Sequence, residues 1–214
     1  MVERTPLAAP TVELGDELPP IDPSKPAIIS AWGRKGSGKS VFNRRLFDSW
    51  PWDKLAIDVN GDADPGPDAT KVTTPLPGRF PAPPEPVPGG PRPGPRTLVW
   101  CGEIGEFMPT AQRTGPHMRR LLMQNRHYHT TALFDGPRPM NVNPLVLAQS
   151  DLVAIFHLPN PADQERVADT IGYPPARFHE ECETTWRRGK YWFLLWHAEA
   201  HALYRCAPLP PLER

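Results

Sequence analysis

The chain has 214 residues with 24 Lys plus Arg and 24 Asp plus Glu, so its formal net charge is zero. This length suits one domain, and the neutral balance excludes a polycation that coats nucleic acid over its whole surface, though not a local basic patch. Three cysteines are too few and too scattered for a disulfide framework or a zinc site, which favours a reducing compartment. With no apolar run long enough to cross a bilayer and no secretory signal, we expect a cytoplasmic protein.

Proline is the most unusual component of the sequence, with 31 residues. Six prolines lie in 1–26 and twelve in 65–95, and these densities are incompatible with helix or central strand. Residues 1–26 are predicted to be a flexible acidic tail, either a solvated leader or an arm that docks on a neighbouring subunit. We expect 62–96 to be a surface insertion with polyproline II character, within a domain spanning 27–207 that is followed by a tail at 208–214.

Short apolar segments bounded by turn residues predict five buried strands, at 27–32, 55–59, 97–101, 130–134 and 152–156. Apolar spacing and Asn-Pro or proline starts predict helices at 40–50, from Pro116, at 144–149 and at 161–171. Residues 190–196 and 200–205 predict a closing hairpin. This alternation predicts an α/β fold with a mostly parallel sheet, helices on both faces and a C-terminal β-hairpin.

Residues 33–40 read GRKGSGKS and match the phosphate-binding pattern G-x-x-x-x-G-K-[ST], between a predicted strand and a predicted helix. The glycines let backbone amides turn toward phosphate oxygens, and the helix presents its positive end to the same anion. Lys39 is expected to reach the β and γ phosphates, and the Ser40 hydroxyl to ligate Mg²⁺. The residues predicted to bind ATP are Gly33, Arg34, Lys35, Gly36, Ser37, Gly38, Lys39, Ser40 and Val41.

A second acidic element is predicted where the apolar strand 97–101 runs into Gly102 and Glu103. Glu103 is the candidate general base for an attacking water, and the alternative is a solvated loop carboxylate. Glu106 is the fallback candidate. Gly102 stands where such strands usually carry Asp, so we expect Mg²⁺ to depend on Ser40, on phosphate oxygens and on Asp58 at the end of the second strand.

These motifs, with Asn125-Arg126-His127, Pro137-Arg138-Pro139 and the run from Leu145 to Leu158, resemble the FtsK–HerA ATPases. More narrowly, the chain is similar to the small genome-packaging ATPases of membrane-containing icosahedral viruses. The resemblance implies a RecA-like (ASCE) core and a homo-oligomeric ring, a hexamer, with active sites between subunits. It also implies ATP hydrolysis coupled to pulling double-stranded DNA, in the host cytoplasm or on the virion, with a capsid-vertex or membrane protein as a further partner.

The resemblance also exposes a second departure from the family pattern. The family carries a polar γ-phosphate sensor, often Gln, where this chain has Pro137, and Asp135 and Arg138 are the candidates to replace it. Arg126 is the candidate for stabilising phosphoryl charge, within one chain or from the neighbouring subunit, and the alternative is a cation that favours the helix dipole. Other basic side chains either face DNA or are simply solvated; these are Lys35, Arg113, Arg119 and Arg120.

The leading hypothesis from the sequence is an ATP-driven translocase of double-stranded DNA that packages a viral genome. Gly102 and Pro137 favour an alternative, a ring or switch component that binds ATP and hydrolyses it weakly. A plasmid-transfer or phage-morphogenesis ATPase of the same superfamily is a further alternative. A small-molecule kinase uses the same loop, but the proline insertion makes a poor lid for it.

Overall fold

The computed structural model describes residues 11–15, 21–57, 69–72, 97–110 and 114–210. Within these ranges one nine-stranded sheet has the order β1-β9-β8-β7-β2-β6-β5-β3-β4. The strands are β1 (Val12–Leu14), β2 (Ile28–Trp32), β3 (Lys54–Ile57), β4 (Thr70–Val72), β5 (Thr97–Cys101), β6 (Thr130–Gly136), β7 (Leu152–Ile155), β8 (Phe193–His197) and β9 (Ala202–Cys206). Only the β7–β8 and β8–β9 pairings are antiparallel among them, so the predicted mostly parallel sheet with a C-terminal hairpin is confirmed.

Helices cover both faces of this sheet. They are α1 (Lys39–Ser49), α2 (Ile104–Phe107), α3 (Pro116–Gln124), α4 (Pro144–Ala148), α5 (Pro161–Ile171) and α6 (Pro175–Arg187), with a 3₁₀ turn at Pro139–Asn141. One face is packed by α1 through Phe42 and Phe47, and the other by the remaining helices through residues such as Val167 and Phe178. None of the helices described is long and apolar enough to cross a bilayer.

The predicted caps and strands agree with the structure to within a few residues. The Asn143 and Asn160 side chains accept hydrogen bonds from the first turns of α4 and α5, and Gly172 ends α5 with a φ of 71°. The prediction ended β6 at residue 134, whereas the strand continues through Asp135 and Gly136, which pair with the end of β2. Each parallel strand that leads into the site therefore ends at the same edge of the sheet.

Two edge strands and two helices were missing from the prediction. β1, inside the predicted tail, pairs in parallel with β9, so residues 12–14 dock on their own domain as an extended arm. β4, inside the predicted insertion, pairs with β3, and the rest of 62–96 lies outside the described residues. Each strand has three residues, too few for periodicity to identify it, and α2 and α6 also went unpredicted.

Candidate nucleotide-binding site

The phosphate-binding loop links the end of β2 to the start of α1, as the motif predicts. Gly33 and Gly38 have φ of 150° and 113°, values that side-chain-bearing residues rarely adopt. A Cβ on Gly33 would lie 2.6 Å from the Phe156 Cβ, and one on Gly38 would lie 3.1 Å from Cε1 of the Phe156 ring. The loop therefore packs its backbone directly against Phe156, and glycine is required at both positions.

Two backbone hydrogen bonds hold this loop against the sheet. The Gly33 amide donates to the Gly136 carbonyl at 3.3 Å, and the Arg34 amide donates to the His157 carbonyl at 3.1 Å. The Lys39 ammonium folds over the loop and donates to the Gly33 carbonyl at 2.5 Å and to the Arg34 carbonyl at 3.3 Å. Its cation therefore lies at the mouth of the loop, where the motif requires it for binding phosphate.

Burial lowers the pKa of Lys39, while the negative charges of Asp135 and Glu103 act in the opposite direction. These three groups come from α1, β6 and the end of β5. The sheet order explains their proximity, since β6 lies between β2 and β5 and all three strands end at the same edge. One cation and two carboxylates thus share this edge of the sheet.

Asp135 is the buried centre of this arrangement. Its Oδ2 accepts hydrogen bonds from the Asn43 amide and from Trp100 Nε1, the latter at 3.0 Å. Its Oδ1 accepts the backbone N–H of Glu103 at 3.3 Å. Burial raises the pKa of Asp135, against the lowering effect of these donors and of Lys39. Asp135 therefore ties α1, β5 and the Glu103 turn to one carboxylate.

Glu103 lies in the turn between β5 and α2 with φ of 55° and ψ of 50°. This left-handed conformation is uncommon for a residue with a side chain and is typical of positions held by function or by surrounding contacts. The partly buried Glu103 contributes to the electrostatics of Lys39, whereas Glu106 is exposed on α2. The sequence-predicted base candidate therefore lies beside the phosphate loop.

A pocket of about 520 Å³ opens beside the loop. Its floor is formed by Gly36 and residues 38–41, and its walls are mainly apolar. The wall residues are Phe156, Tyr191, Phe193, Pro208 and Leu209. Arg45 on α1 holds the segment that carries Pro208 and Leu209 in place by donating to the Pro210 carbonyl at 2.7 Å.

Sequence reasoning missed these wall residues, because it treated 190–196 as a strand and 208–214 as a tail. Tyr191 has φ of 76°, and its Cδ1 would lie 3.4 Å from a Cβ on Gly38. The Gly189-Lys190-Tyr191 run before an apolar strand was the one available signal, since glycine and positive-φ residues mark tight turns.

Within one chain, Arg126 and Arg138 each pair with an aspartate outside this loop. Arg126, 78% exposed, pairs at 3.8 Å with Asp151, whose carboxylate accepts the Ile28 amide at the amino end of β2. That is the opposite end of the strand from the phosphate loop. Arg138 pairs at 3.0 Å with Asp163, which is buried on α5.

Of the remaining candidates, Arg119 and Arg120 are exposed on α3. Asp58 and Arg113 lie outside the described residues. Their predicted roles, toward Mg²⁺ for Asp58 and toward DNA for the three arginines, stay predictions.

The donors at this edge of the sheet fit Mg²⁺ by their chemistry. Ser40 offers a hydroxyl on an exposed residue of the first turn of α1, and Asp135 and Glu103 offer carboxylate oxygens. Magnesium prefers such hard oxygen ligands and takes only one or two carboxylates besides substrate phosphates and waters. The described residues contain no cluster of three or more His, Cys, Asp or Glu suited to a metal.

The fold is similar to structures of the genome packaging NTPase B204 from Sulfolobus turreted icosahedral virus 2. The complex with ATP-gammaS is 16% identical with a TM-score of 0.67, and the match covers 89% of this chain and 100% of that one. The complex with AMPPCP is 17% identical with a TM-score of 0.67, covering 88% and 100%. B204, the DNA-packaging ATPase from Sulfolobus Turreted Icosahedral Virus, is 16% identical with a TM-score of 0.65, covering 87% and 100%.

No protein-family model matches the sequence, and no curated protein matches it either. At this level of identity the similarity establishes the fold. The predicted α/β, RecA-like P-loop NTPase core and its resemblance to viral genome-packaging NTPases are confirmed at that level. Assignment to the FtsK–HerA superfamily stays a prediction.

Proposed function

We propose that this protein hydrolyses ATP and uses the energy to move double-stranded DNA, as the packaging motor of a virus. The observation that carries the proposal is the position of Glu103 in a turn that Asp135 links by hydrogen bonds to α1, the helix that follows a complete phosphate loop. The structural similarity to B204, named as a genome packaging NTPase, supports the packaging role. The proposed working form is a homo-oligomeric ring, a hexamer, in the cytoplasm of the host, with a capsid-vertex or membrane protein as partner.

Each part of the loop has a separate task in this proposal. The loop backbone and the amino end of α1 bind the phosphates, and the Lys39 ammonium leaves its two carbonyl partners to contact them. Ser40 would hold Mg²⁺, which when bound neutralises charge on the phosphate oxygens. Glu103 accepts a proton from water as general base, and its constrained turn fixes where that carboxylate lies.

The apolar pocket beside the loop is the proposed site of the nucleotide base. Its floor is continuous with the phosphate loop, and its volume suits a small ligand. The Tyr191 ring offers a stacking surface next to Gly38. Because the walls are mainly apolar, we expect binding by stacking and shape, with weak discrimination between ATP and GTP.

Steady-state ATP hydrolysis with and without double-stranded DNA tests the proposal. We expect DNA to stimulate turnover of the wild type, and Glu103→Gln to lower turnover about 10²- to 10⁴-fold, the range for loss of a general base. Glu106→Gln is the matched control, because Glu106 is an exposed carboxylate three residues further on. Equal turnover of the wild type and Glu103→Gln would contradict the role of Glu103, and turnover unaffected by DNA would contradict the motor.

A nucleotide-gated ring component with weak hydrolysis is the second candidate function. Gly102 favours it by removing a side chain from the usual place of the metal-directed Asp, and Pro137 favours it by replacing a polar sensor. Tight ATP binding without turnover in the wild type and in Glu103→Gln would select this alternative. Phosphorylation of a small acceptor without DNA stimulation would instead select a kinase.

A further inference from the structure

The corner between the ends of β5 and β6 contains an open space and a carboxylate side by side. The two strands are parallel and in register, with Cys101 opposite Phe134, so the next residues, Gly102 and Asp135, are neighbours. A Cβ on Gly102 would have one heavy atom within 4 Å among non-adjacent residues, Oδ1 of Asp135 at 4.0 Å. The place where strands of this type usually carry Asp is thus bordered by an Asp from the adjacent strand.

The carboxylate of Asp135 retains capacity for a further ligand on that side. A carboxylate offers about four lone-pair directions. Two donors, Asn43 and Trp100, bind Oδ2, and one, the Glu103 amide, binds Oδ1. The remaining capacity therefore lies on Oδ1, the oxygen that borders the space at Gly102.

The same carboxylate is bonded to α1, the helix that follows the phosphate loop. Asn43 is buried on α1, one turn after Ser40, and Lys39 is influenced by the charge of Asp135. The hydrogen bond from the Glu103 backbone N–H to Oδ1 places the proposed general base on the side of Asp135 that faces away from Asn43 and Oδ2. Asp135 thus lies between the residues proposed to bind phosphate and the residue proposed to activate water.

We propose that Asp135 supplies, from β6, the Mg²⁺-directed carboxylate that β5 lacks at Gly102. The inference rests on the proposed binding of ATP. It explains how the site retains two acidic groups although the strand that carries Glu103 contributes one. The competing explanation is that Asp135 only joins α1, β5 and the Glu103 turn through its three hydrogen bonds, and the experiment separates the two.

The experiment measures the dissociation constant of ATP for the full chain, by calorimetry, in saturating Mg²⁺ and in EDTA. The ratio of the two constants is the Mg²⁺ dependence. Asp135→Asn removes the charge, and Gly102→Asp with Asp135→Asn moves the carboxylate to the neighbouring strand. Trp100→Phe is the matched control, because it removes one donor to Asp135 and leaves the carboxylate. Electron paramagnetic resonance of Mn²⁺ in the presence of ATP reports metal affinity independently of turnover.

We expect Asp135→Asn to lower the Mg²⁺ dependence and the Mn²⁺ affinity about 10- to 100-fold, the usual effect of removing a group that orients a metal. The double variant should recover the Mg²⁺ dependence and the Mn²⁺ affinity, and Trp100→Phe should leave these two quantities unchanged. Equal weakening in Mg²⁺ and in EDTA would show a structural role and overturn the inference. A folded double variant that does not recover Mg²⁺ dependence would also overturn it, because the corner should accept the carboxylate from either strand. A wild type that does not bind ATP would instead refute the proposed function.

Discussion

Replacing Gly33 by Ala should damage the phosphate loop by a steric mechanism that the structure makes quantitative. The added Cβ would lie 2.6 Å from the Phe156 Cβ and 3.2 Å from its backbone carbon, so no flexible chain end can move aside. The φ of 150° adds strain for any residue with a side chain. Gly36 is the matched control, because its φ is 75° but nothing lies within 4 Å of its added Cβ.

The two substitutions differ in the number of penalties they incur. Overpacking against a fixed neighbour costs about 1–3 kcal/mol, and an unfavourable φ costs about 1–3 kcal/mol. Gly33→Ala carries both penalties, so we expect it to lower the free energy of unfolding by about 2–6 kcal/mol. Gly36→Ala carries the backbone penalty alone, and we expect about 1–3 kcal/mol.

Urea unfolding of both variants, followed by circular dichroism, gives this comparison directly. ATP affinity of the folded fraction is measured in parallel, and we expect it to fall more in Gly33→Ala because the loop must move away from Phe156. The steric argument fails if Gly33→Ala destabilises no more than Gly36→Ala. It also fails if Gly33→Ala lies within about 0.5 kcal/mol of the wild type, the range of ordinary surface substitutions.

Three further predictions address the base, the lysine and the ion pair behind the loop. Tyr191→Ala should weaken ATP by about 1–3 kcal/mol in a calorimetric titration, whereas tripolyphosphate binding and Tyr191→Phe should be unaffected; equal loss of both ligands would contradict stacking. Because burial lowers the pKa of Lys39 below 10.5, ATP affinity should fall with rising pH earlier than for an exposed lysine. The unfolded chain holds the Lys39 proton more tightly than the folded chain, so the contribution of Lys39 to the free energy of unfolding increases as pH rises through the folded pKa toward 10.5. A Lys39→Arg variant with the same pH profile would contradict the assignment of these effects to Lys39. Arg138→Ala should lower the free energy of unfolding by about 1–3 kcal/mol, because Asp163 loses its charged partner, and unchanged ATP affinity in the same protein would confirm that Arg138 is no sensor.

Local signals in the sequence were enough to predict the parts of the fold that depend on local chemistry. Asn143 and Asn160 cap helices that begin with proline, and the apolar strands are bounded by turn residues. The elements that were missed depend on distant partners. β1 is held by β9 and by Glu13, which pairs with Arg205 and Arg188. A segment of three residues is too short for its pattern to predict such pairing.

The missed helix α6 did carry a readable pattern. Phe178, Cys182 and Trp186 recur every four residues, and the first two are fully buried. Its N-cap is Pro174, which provides no side-chain hydrogen bond, and Pro175 is its first residue. The capping side chain that helped to predict α4 and α5 is therefore missing here. The four-residue α2 is too short for periodicity to define.

The candidate site likewise contains residues that local sequence predicted and residues that only distant contacts bring together. A contiguous motif predicted the phosphate loop, and the end of an apolar strand predicted Glu103. The neighbourhood of Asp135 was not predictable, since its partners come from α1, β5 and the turn after β5 and meet only through the sheet order. Arg138, one of the residues that suggested the family resemblance, pairs with Asp163 within the fold.

The position of Arg126 limits how the proposed ring can be built. Arg126 lies at the amino end of β2, and the phosphate loop follows the carboxyl end of the same five-residue strand. From Ile28 to Gly33, the first residue of the loop, there are five residue steps, or about 16 Å at about 3.3 Å per residue. If the strands of all subunits ran parallel to the ring axis, Arg126 of one subunit would stand about 16 Å above or below its neighbour's loop. Arg126 can therefore serve a neighbouring site only if the strands tilt toward the plane of the ring, and in an untilted ring the stabilising cation must come from another residue.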